Sequence, residues 1–383
     1  MTPIRGRVFD VGDDVVLEAD GPWLTAVRAP RDGDPAPTPG LIVPGLINAH
    51  LHLELSGFGS VAGGDGLHAW VNRLFQARKG APDGAARAAA AMFAAGTAAV
   101  SDVANAAGTG EILAAAGLQG IVHREVLGFD ADTLPDRIAA LADYGADYRG
   151  PNGVIRERPS PHAPYSTAPS LLVAAVRARP GVPATVHLAE DTDELEFLGA
   201  GTGQWAALLD RLGRDWRWWD APHLDPVSYL DELGVLGPEL LLVHAVHLGG
   251  ADPTRLAAAR APVVLCLRSN LHITGRHPDA PALVRAGVRL ALGTDSLASC
   301  PDLDVLGEVV ALGRAFREVP AAVWLRAATA GGADALGLPH LGRIAVGAAP
   351  GLLVLDVDDV DEIVERGDAA RRWLLPPGPS ERV

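Results

Sequence analysis

The chain has 383 residues, enough for one large α/β domain and a smaller one. Its 47 acidic and 32 basic residues give a formal net charge of -15, which argues against nucleic acid or an anionic membrane as the main partner and favours a small molecule. The chain has only two cysteines, Cys266 and Cys300, which excludes a disulfide framework and a zinc site made of thiolates. The start of the sequence does not resemble a signal peptide, and no apolar run reaches the roughly 18 residues needed to span a membrane, so we expect a cytoplasmic protein.

Both ends of the chain carry short β-type segments. Residues 1–44 contain alternating runs punctuated by Gly and Pro, and residues 337–383 contain matching material such as Gly351–Asp356. We expect the two ends to pair into one small β-sandwich domain.

The region between these ends alternates short β-rich runs with longer segments of helical period, which is typical of βα units and a parallel sheet. The predicted strands are Leu46–Glu54, Thr97–Val103, Gly120–Leu127, Val154–Ser160, Ala184–Ala189, Leu240–His247, Val263–Ser269 and Val288–Asp295. The predicted helices include Gly84–Ala95, Leu134–Tyr144, Pro169–Ala178 and Pro253–Ala259. Eight strands close a barrel, so residues 45–336 are predicted to form a (β/α)8 barrel of TIM type, with an open doubly wound sheet as the alternative.

One connection is too long for a simple βα loop. Residues 199–238 contain four tryptophans and are predicted to form a lid, a rim insertion or a subunit contact. A homodimer is therefore an option.

Two histidines lie close together in the first of these strands. His50 and His52 are two residues apart, so on a strand their side chains share a face about 6.6 Å apart, a spacing that suits two ligands of one metal ion. Two buried histidines without a metal are an equally good interpretation of this segment by itself.

Other strand ends carry the same kind of side chain. His187 and Asp295 end the fifth and eighth strands, and with the first pair they make three imidazoles and one carboxylate at one end of the predicted barrel. This set suits one Zn²⁺ or Fe²⁺ with a position left for water.

Four motifs together resemble the amidohydrolase superfamily, in its branch of cytosine, guanine and adenosine-homologue deaminases. They are Pro-Gly-Leu-Ile-Asn-Ala-His-Leu-His at 44–52, His-x-x-Glu at 187–190, His-Ala-Val-His-Leu at 244–248 and Leu-Gly-Thr-Asp-Ser at 292–296. The resemblance implies a distorted barrel with one divalent metal, Zn²⁺ first and Fe²⁺ second, held by His50, His52, His187 and Asp295. It also implies that Glu190 is the proton shuttle and His244 the imidazole of the sixth strand.

The chemistry of these side chains agrees with the resemblance. Glu190 can take a proton from water and pass it to a ring nitrogen, His244 can orient the nucleophile, and Asp295 can bind metal and accept a proton. A solvated acidic loop is the plain alternative for Glu190, because several acids follow it. The single lysine, Lys79, is not on the fourth strand, which disfavours the two-metal members that use a carbamylated lysine there.

Further motifs beside the site resemble the aminodeoxyfutalosine deaminases of menaquinone biosynthesis. They are Glu-Leu-Ser at 54–56, Pro-His-Ala-Pro-Tyr-Ser at 161–166 and Arg-Ser-Asn at 268–270. This implies a substrate with an adenine ring and a benzoate, where Arg268 or Arg124 reads the benzoate and Glu54 and His162 address ribose or purine. Structural roles for Arg268 and His162 are the alternatives.

The sequence leaves three other functions open. The first is deamination of another purine or a pterin, such as S-adenosylhomocysteine, adenosine or guanine. The second is a triazine-type chlorohydrolase, which uses the same attack by hydroxide. The third is a metal-free scaffold with an amidohydrolase-like fold.

Overall fold

The structure, a computed structural model, describes residues 3–77 and 83–380. It is an α/β protein with fifteen strands and fifteen α-helices among these residues. Lys79 lies outside the described residues.

The strands, in chain order, are β1 (Ile4–Val8), β2 (Gly12–Asp20), β3 (Trp23–Arg28), β4 (Thr38–Pro44), β5 (Leu46–Leu51), β6 (Thr97–Ala104), β7 (Gln119–Val126), β8 (Asp147–Gly150), β9 (Gly153–Pro161), β10 (Ala184–Leu188), β11 (Leu240–His244), β12 (Val263–Leu265), β13 (Leu290–Leu292), β14 (Leu352–Leu355) and β15 (Arg371–Leu375).

The α-helices are α1 (Leu67–Gln76), α2 (Gly84–Ala94), α3 (Thr109–Ala115), α4 (Leu134–Ala139), α5 (Pro169–Arg177), α6 (Thr192–Ala200), α7 (Gly203–Arg211), α8 (Pro226–Glu232), α9 (Asp252–Ala259), α10 (Leu267–Ile273), α11 (Ala280–Arg285), α12 (Val305–Ala315), α13 (Ala321–Arg326), α14 (Gly332–Ala335) and α15 (Val360–Arg366). Shorter 3-10 turns cover Leu53–Gly57, Ala131–Thr133 and Ala140–Asp143, and Ala327–Gly331 is a π-helical turn.

The two ends of the chain meet in one six-stranded mixed sheet. Its order is β15-β14-β4-β1-β2-β3, and β14 lies antiparallel to β4 with Leu353 opposite Val43. The pairing of the two chain ends in one sheet agrees with the prediction from the sequence. The packing of this sheet against a second sheet, which a sandwich requires, stays a prediction.

Eight parallel strands form the centre of the molecule, at the eight predicted places. They lie in two sheets, β5-β6-β7-β9 with the antiparallel β8 at its edge, and β10-β11-β12-β13. These strands are largely buried, as is usual for parallel strands connected by helices. The two sheets contact each other at two places. Next to β9 and β10, the His187 amide donates to the His162 carbonyl at 2.9 Å, and next to β5 and β13, Leu51 pairs with Asp295.

A closed ladder of eight strands is not present in the described part of the chain. The predicted strand bounds were also too long at several C-terminal ends. In particular, the prediction of a strand over Val263–Ser269 was wrong beyond Leu265, because α10 begins at Leu267. A short, continuous apolar run fits a buried strand and a buried helix equally well.

The long connection, 199–238, folds into α7 and α8 and a buried aromatic cluster. Phe197 stacks on Trp219 with ring centroids 4.9 Å apart, and Trp205 stacks on Tyr165 at 4.0 Å. The segment thus builds a wall of the cavity described below. Within 3–77 and 83–380, no helix has the length and apolar character needed to cross a membrane.

Candidate active site

A cavity of about 910 Å³ opens at the C-terminal ends of the parallel strands. Its inner end is polar and its outer walls are mainly apolar. The predicted site residues that line it are His52, Glu54, His162, His187, Glu190, His244 and Asp295.

The four predicted metal ligands converge at the inner end. The Nε2 atoms of His187 and His52 are 3.3 Å apart, and the Oδ1 atom of Asp295 lies 3.7 Å from His52 Nε2 and 3.9 Å from His50 Nε2. His50 is fully buried, and neither of its ring nitrogens has a hydrogen-bond partner among the described residues.

These donors fit one small divalent cation. Nitrogen and oxygen ligands at about 2.0–2.2 Å from a zinc ion lie roughly 3–4 Å from one another, which is the range of the distances here. A cation would also explain the unpartnered imidazole of His50, because a buried polar ring without a partner is costly.

Hydrogen bonds behind the ligands hold two of them in place. Nδ1 of His187 donates to the His162 carbonyl at 3.0 Å, which leaves the Nε2 lone pair facing the centre. Ser269 and Ser299 hold Oδ2 of Asp295 with Oγ contacts of 2.5 and 3.2 Å, and the other oxygen, Oδ1, faces the histidines.

The junction of β5 and β13 brings Asp295 beside His50. The buried amide of Asn48 donates to Thr294 Oγ1 at 2.8 Å and accepts from the Thr294 amide at 3.1 Å. A Cβ at Gly293 would lie 2.7 Å from Cβ of His50, so only glycine allows this approach.

Glu190 is placed by a sharp turn between β10 and α6. Ala189 has φ 51°, and the side chain of Asp191 caps the helix by accepting from the Asp193 amide at 2.7 Å. The Glu190 side chain is buried, which excludes the solvated loop considered above. Burial and the nearby Asp295 carboxylate raise the pKa of Glu190 well above its ordinary value.

His244 lies next to this carboxylate. Its Nε2 is 3.5 Å from Oε2 of Glu190, and its Nδ1 is 3.0 Å from the Asn270 amide nitrogen. Burial lowers the pKa of His244 to about 3, so the ring is neutral near pH 7.

The backbone at this end is unusual. Seven non-glycine residues among those described have positive φ, and four of them are at the ends of β10, β11 and β13: Ala189, His244, Ala245 and Asp295. Such conformations collect at functional sites, where the surrounding structure holds them.

Two predicted substrate-binding residues lie in the cavity. Glu54 accepts hydrogen bonds from the amides of Asn105, at 3.0 Å, and Ala106, at 2.6 Å. His162 contacts Ser166 Oγ through Nδ1 at 2.6 Å, and its ring is 4.9 Å from that of His187.

The two predicted arginines lie elsewhere. Arg124 does not line the cavity; it donates to the carbonyls of Asn105 and Ala106 beside the cavity and lies over the Tyr144 ring. Arg268 is further removed.

All three donating groups of the Arg268 guanidinium are used within the protein. It donates to Glu308 at 2.7 Å, to Asp302 at 2.9 Å and to the Asp304 carbonyl at 2.8 Å. Its side chain does not line the cavity, because α10 turns it towards α12. The geometry supports the structural alternative for Arg268 and gives no support to a substrate contact.

No role was predicted for Glu125 or Asn105, although both line the cavity. Asn105 Nδ2 donates to Glu125 at 2.8 Å and lies 3.3 Å from Glu54, so it joins the two carboxylates. Glu125 and Arg124 are neighbours on β7 and point to opposite faces, so strand alternation predicts that only one of the two lines the cavity.

Comparison with known proteins agrees with this geometry. The family model described as "Amidohydrolase family" matches residues 41–372. A 5-methylthioadenosine/S-adenosylhomocysteine deaminase of Syntrophobacter fumaroxidans is 31% identical over 92% of this chain and 81% of its own length. An aminodeoxyfutalosine deaminase of Deinococcus radiodurans is 33% identical over 78% and 73%.

Two solved structures share the fold. Aminofutalosine deaminase of Helicobacter pylori, in complex with methylthio-coformycin, has a TM-score of 0.80 at 19% identity and covers 98% of this chain and 99% of its own. An adenosine deaminase of Xanthomonas campestris with bound zinc has a TM-score of 0.71 at 27% identity, with 92% and 84% covered. The chain therefore belongs to the amidohydrolase family and is a hydrolase of carbon–nitrogen bonds.

Proposed function

We propose that this enzyme is a metal-dependent deaminase of an adenine nucleoside. The observation that carries the proposal is the convergence of His50, His52, His187 and Asp295 beside the buried pair Glu190 and His244. In this proposal the first four residues hold one divalent cation, zinc before iron. When bound, such an ion supplies the Lewis acidity that makes water a nucleophile near neutral pH.

The protein's own groups would move the protons. Glu190 accepts one proton of the attacking water at its carboxylate and delivers it to the purine ring nitrogen. Water adds to the carbon that carries the amino group, the carbon–nitrogen bond breaks, and a hypoxanthine compound and ammonia leave. His244, fixed by Asn270, orients the nucleophile through Nε2. Asp295 accepts the second proton of the water at Oδ1, and this proton passes to the amino group, which leaves as ammonia.

The fold and domain boundaries belong to the same proposal. The two parallel sheets are the halves of a (β/α)8 barrel spanning 45–336, and 1–44 with 337–383 form the smaller domain. A cytoplasmic location and a homodimer remain predictions from the sequence.

The finer proposal for the substrate is 6-aminodeoxyfutalosine, an intermediate of menaquinone biosynthesis. The relative from Deinococcus radiodurans supports it, and so does a cavity with an extended apolar outer part. Glu54 and His162 remain proposed ligands of ribose or purine. Neither Arg124 nor Arg268 is proposed as the partner of the benzoate, because Arg124 points away from the cavity and Arg268 is bound to Glu308.

The first alternative is a 5-methylthioadenosine or S-adenosylhomocysteine deaminase. The observation that favours it is the 31% identity to such a relative over 92% of this chain. Both substrates carry the adenine ring, so the two proposals share the inner end of the cavity and differ only at the outer end.

Ammonia release tests the proposal directly. Purified, zinc-loaded enzyme is assayed with 6-aminodeoxyfutalosine, 5-methylthioadenosine, S-adenosylhomocysteine, adenosine, guanine and cytosine. The highest kcat/KM is expected for 6-aminodeoxyfutalosine. A higher kcat/KM for another adenine nucleoside would overturn only the proposed substrate. If no adenine nucleoside is turned over, the proposal of an adenine nucleoside deaminase is wrong.

A further inference from the structure

One carboxylate oxygen in the cavity wall has no donor. Glu125 lies on β7 with its side chain 8% exposed, and its Oε2 accepts from Asn105 Nδ2 at 2.8 Å. Its Oε1 is buried and has no hydrogen-bond partner among the described residues, although the residue lines the cavity. A buried carboxylate oxygen without a donor costs free energy, and this cost is removed when a molecule in the cavity donates a hydrogen bond to it.

The group that faces this oxygen is also an acceptor. Nε2 of His162 is 3.9 Å from Glu125 Oε1, too far for a direct hydrogen bond. Ser166 Oγ donates to the Ala163 carbonyl at 3.2 Å and therefore accepts from His162 Nδ1 at 2.6 Å. These directions assign the ring proton to Nδ1 and the lone pair to Nε2.

A second cation between these groups is not favoured. Glu125, His162 and His187 approach one another closely enough to hold one, but Nδ1 of His187 already donates to the His162 carbonyl. The lone pair of His187 is on its other nitrogen, which faces His52. The two acceptors therefore need a hydrogen-bond donor between them.

We propose that Glu125 Oε1 and His162 Nε2 receive hydrogen bonds from two adjacent hydroxyl groups of the substrate, such as the 2′ and 3′ hydroxyls of a ribose. A vicinal diol on a rigid ring offers two donors side by side, which matches two fixed acceptors. This inference rests on the proposed function, because it places the sugar beside His187 when the purine is at the inner end. Glu125 is thereby a specificity-determining residue that selects ribonucleosides.

The test combines substrate and protein changes. Adenosine and 2′,3′-dideoxyadenosine are compared with the wild type and with Glu125→Gln, each with its zinc content measured. In the variant, Asn105 holds the amide oxygen, so the amide NH₂ replaces Oε1 and turns an acceptor into a donor. We expect the wild type to prefer adenosine by about 10–100-fold in kcat/KM and the variant by less than about fivefold.

Product binding gives a second readout that needs no turnover. Calorimetry with inosine and 2′,3′-dideoxyinosine is expected to show the same preference in the wild type and its loss in Glu125→Gln. If no nucleoside is deaminated but this binding pattern is found, the proposed function fails and the diol site stands.

Two further variants complete the experiment. Glu157→Gln is the matched control on the neighbouring strand β9, where the carboxylate accepts from Tyr148 Oη at 3.0 Å outside the cavity, and it should keep the full preference. Glu125→Ala, which should also lose the preference, replaces Glu125→Gln if that variant does not fold. An unchanged preference in the variants at position 125, no preference in the wild type, or loss of zinc from Glu125→Gln would overturn the assignment.

Discussion

The two ends of the cavity differ in how firmly their side chains are held. At the inner end, His50, His187 and Glu190 are buried, and serines, an asparagine and left-handed backbone hold the groups around them. At the outer end, α1 and the residue after α7 contribute apolar side chains that solvent reaches: Phe75 is 79% exposed and Leu212 57%. The inner end is preorganised for chemistry, whereas the outer end gains its apolar contacts only when substrate covers it.

The outer end also differs in charge. Arg137 and Arg214 line it and are exposed, whereas the carboxylates of the cavity lining are further in. An apolar wall with two guanidinium groups at its outer end suits a substrate extension that is apolar and ends in a negative charge. The chemistry at the inner end does not depend on which extension it is.

The largest effect is expected for His187→Ala. It removes a ligand whose Nε2 faces His52 at 3.3 Å, so bound zinc and turnover should both fall to background. Metal analysis and ammonia release check this. His247→Ala is the control and should keep both zinc and turnover. This half-buried histidine lies near the site, where its amide donates to the Ala189 carbonyl at 2.8 Å, but it does not line the cavity. Full zinc content in His187→Ala would contradict the ligand assignment.

The next effect is expected for Glu190→Gln. An amide of the same size cannot take a proton from water, so kcat should fall about 10²–10⁴-fold while zinc stays bound. Steady-state kinetics and metal analysis of the same preparation measure both. A kcat within tenfold of the wild type would show that another group moves the proton.

A smaller effect is expected at the outer end for Phe75→Ala. Loss of the aromatic ring removes apolar contact from the substrate extension, worth about 1 kcal/mol. The ratio of kcat/KM for 6-aminodeoxyfutalosine to that for adenosine should therefore fall roughly 3–10-fold. An equal loss for both substrates would mean that Phe75 acts on the inner end.

The smallest effect concerns stability. Burial raises the pKa of Glu194 on α6 to about 8, above its ordinary value of 4.5. A raised pKa stabilises the fold fully below about pH 4.5, and this stabilisation is lost as the pH rises through about 8. Glu194→Gln stays neutral, so its Tm relative to the wild type should rise by roughly 2 °C or more between pH 5 and pH 9. Glu196→Gln, exposed on the same helix, should show no such gain.

The inner end was the more predictable of the two from sequence. Parallel strands bring their C-terminal ends together, so the proximity of the side chains at those ends could be predicted from position: His50, His52, His187, Glu190 and Asp295. His52 shows the limit, because β5 ends at Leu51 and the histidine reaches the site from the turn after the strand.

The binding residues were harder to predict because their neighbours are distant in sequence. From the sequence, the guanidinium of Arg268 could be a substrate ligand. In the structure it donates at 2.7 Å to Glu308, which is 40 residues further along the chain. The neighbours of Glu125 could not be predicted for the same reason, since Asn105 follows β6 and His162 follows β9. Strand period was available, but it does not say which face meets the cavity.

The central claim is that one cation at this site is necessary for deamination. The direct measurement is to remove the metal with a chelator and return zinc in steps while ammonia release from adenosine and 6-aminodeoxyfutalosine is followed. We predict no turnover without metal, and a linear rise that stops at one zinc per chain. Full turnover of the metal-free protein, or a rise that continues to two equivalents, would contradict the single-metal site.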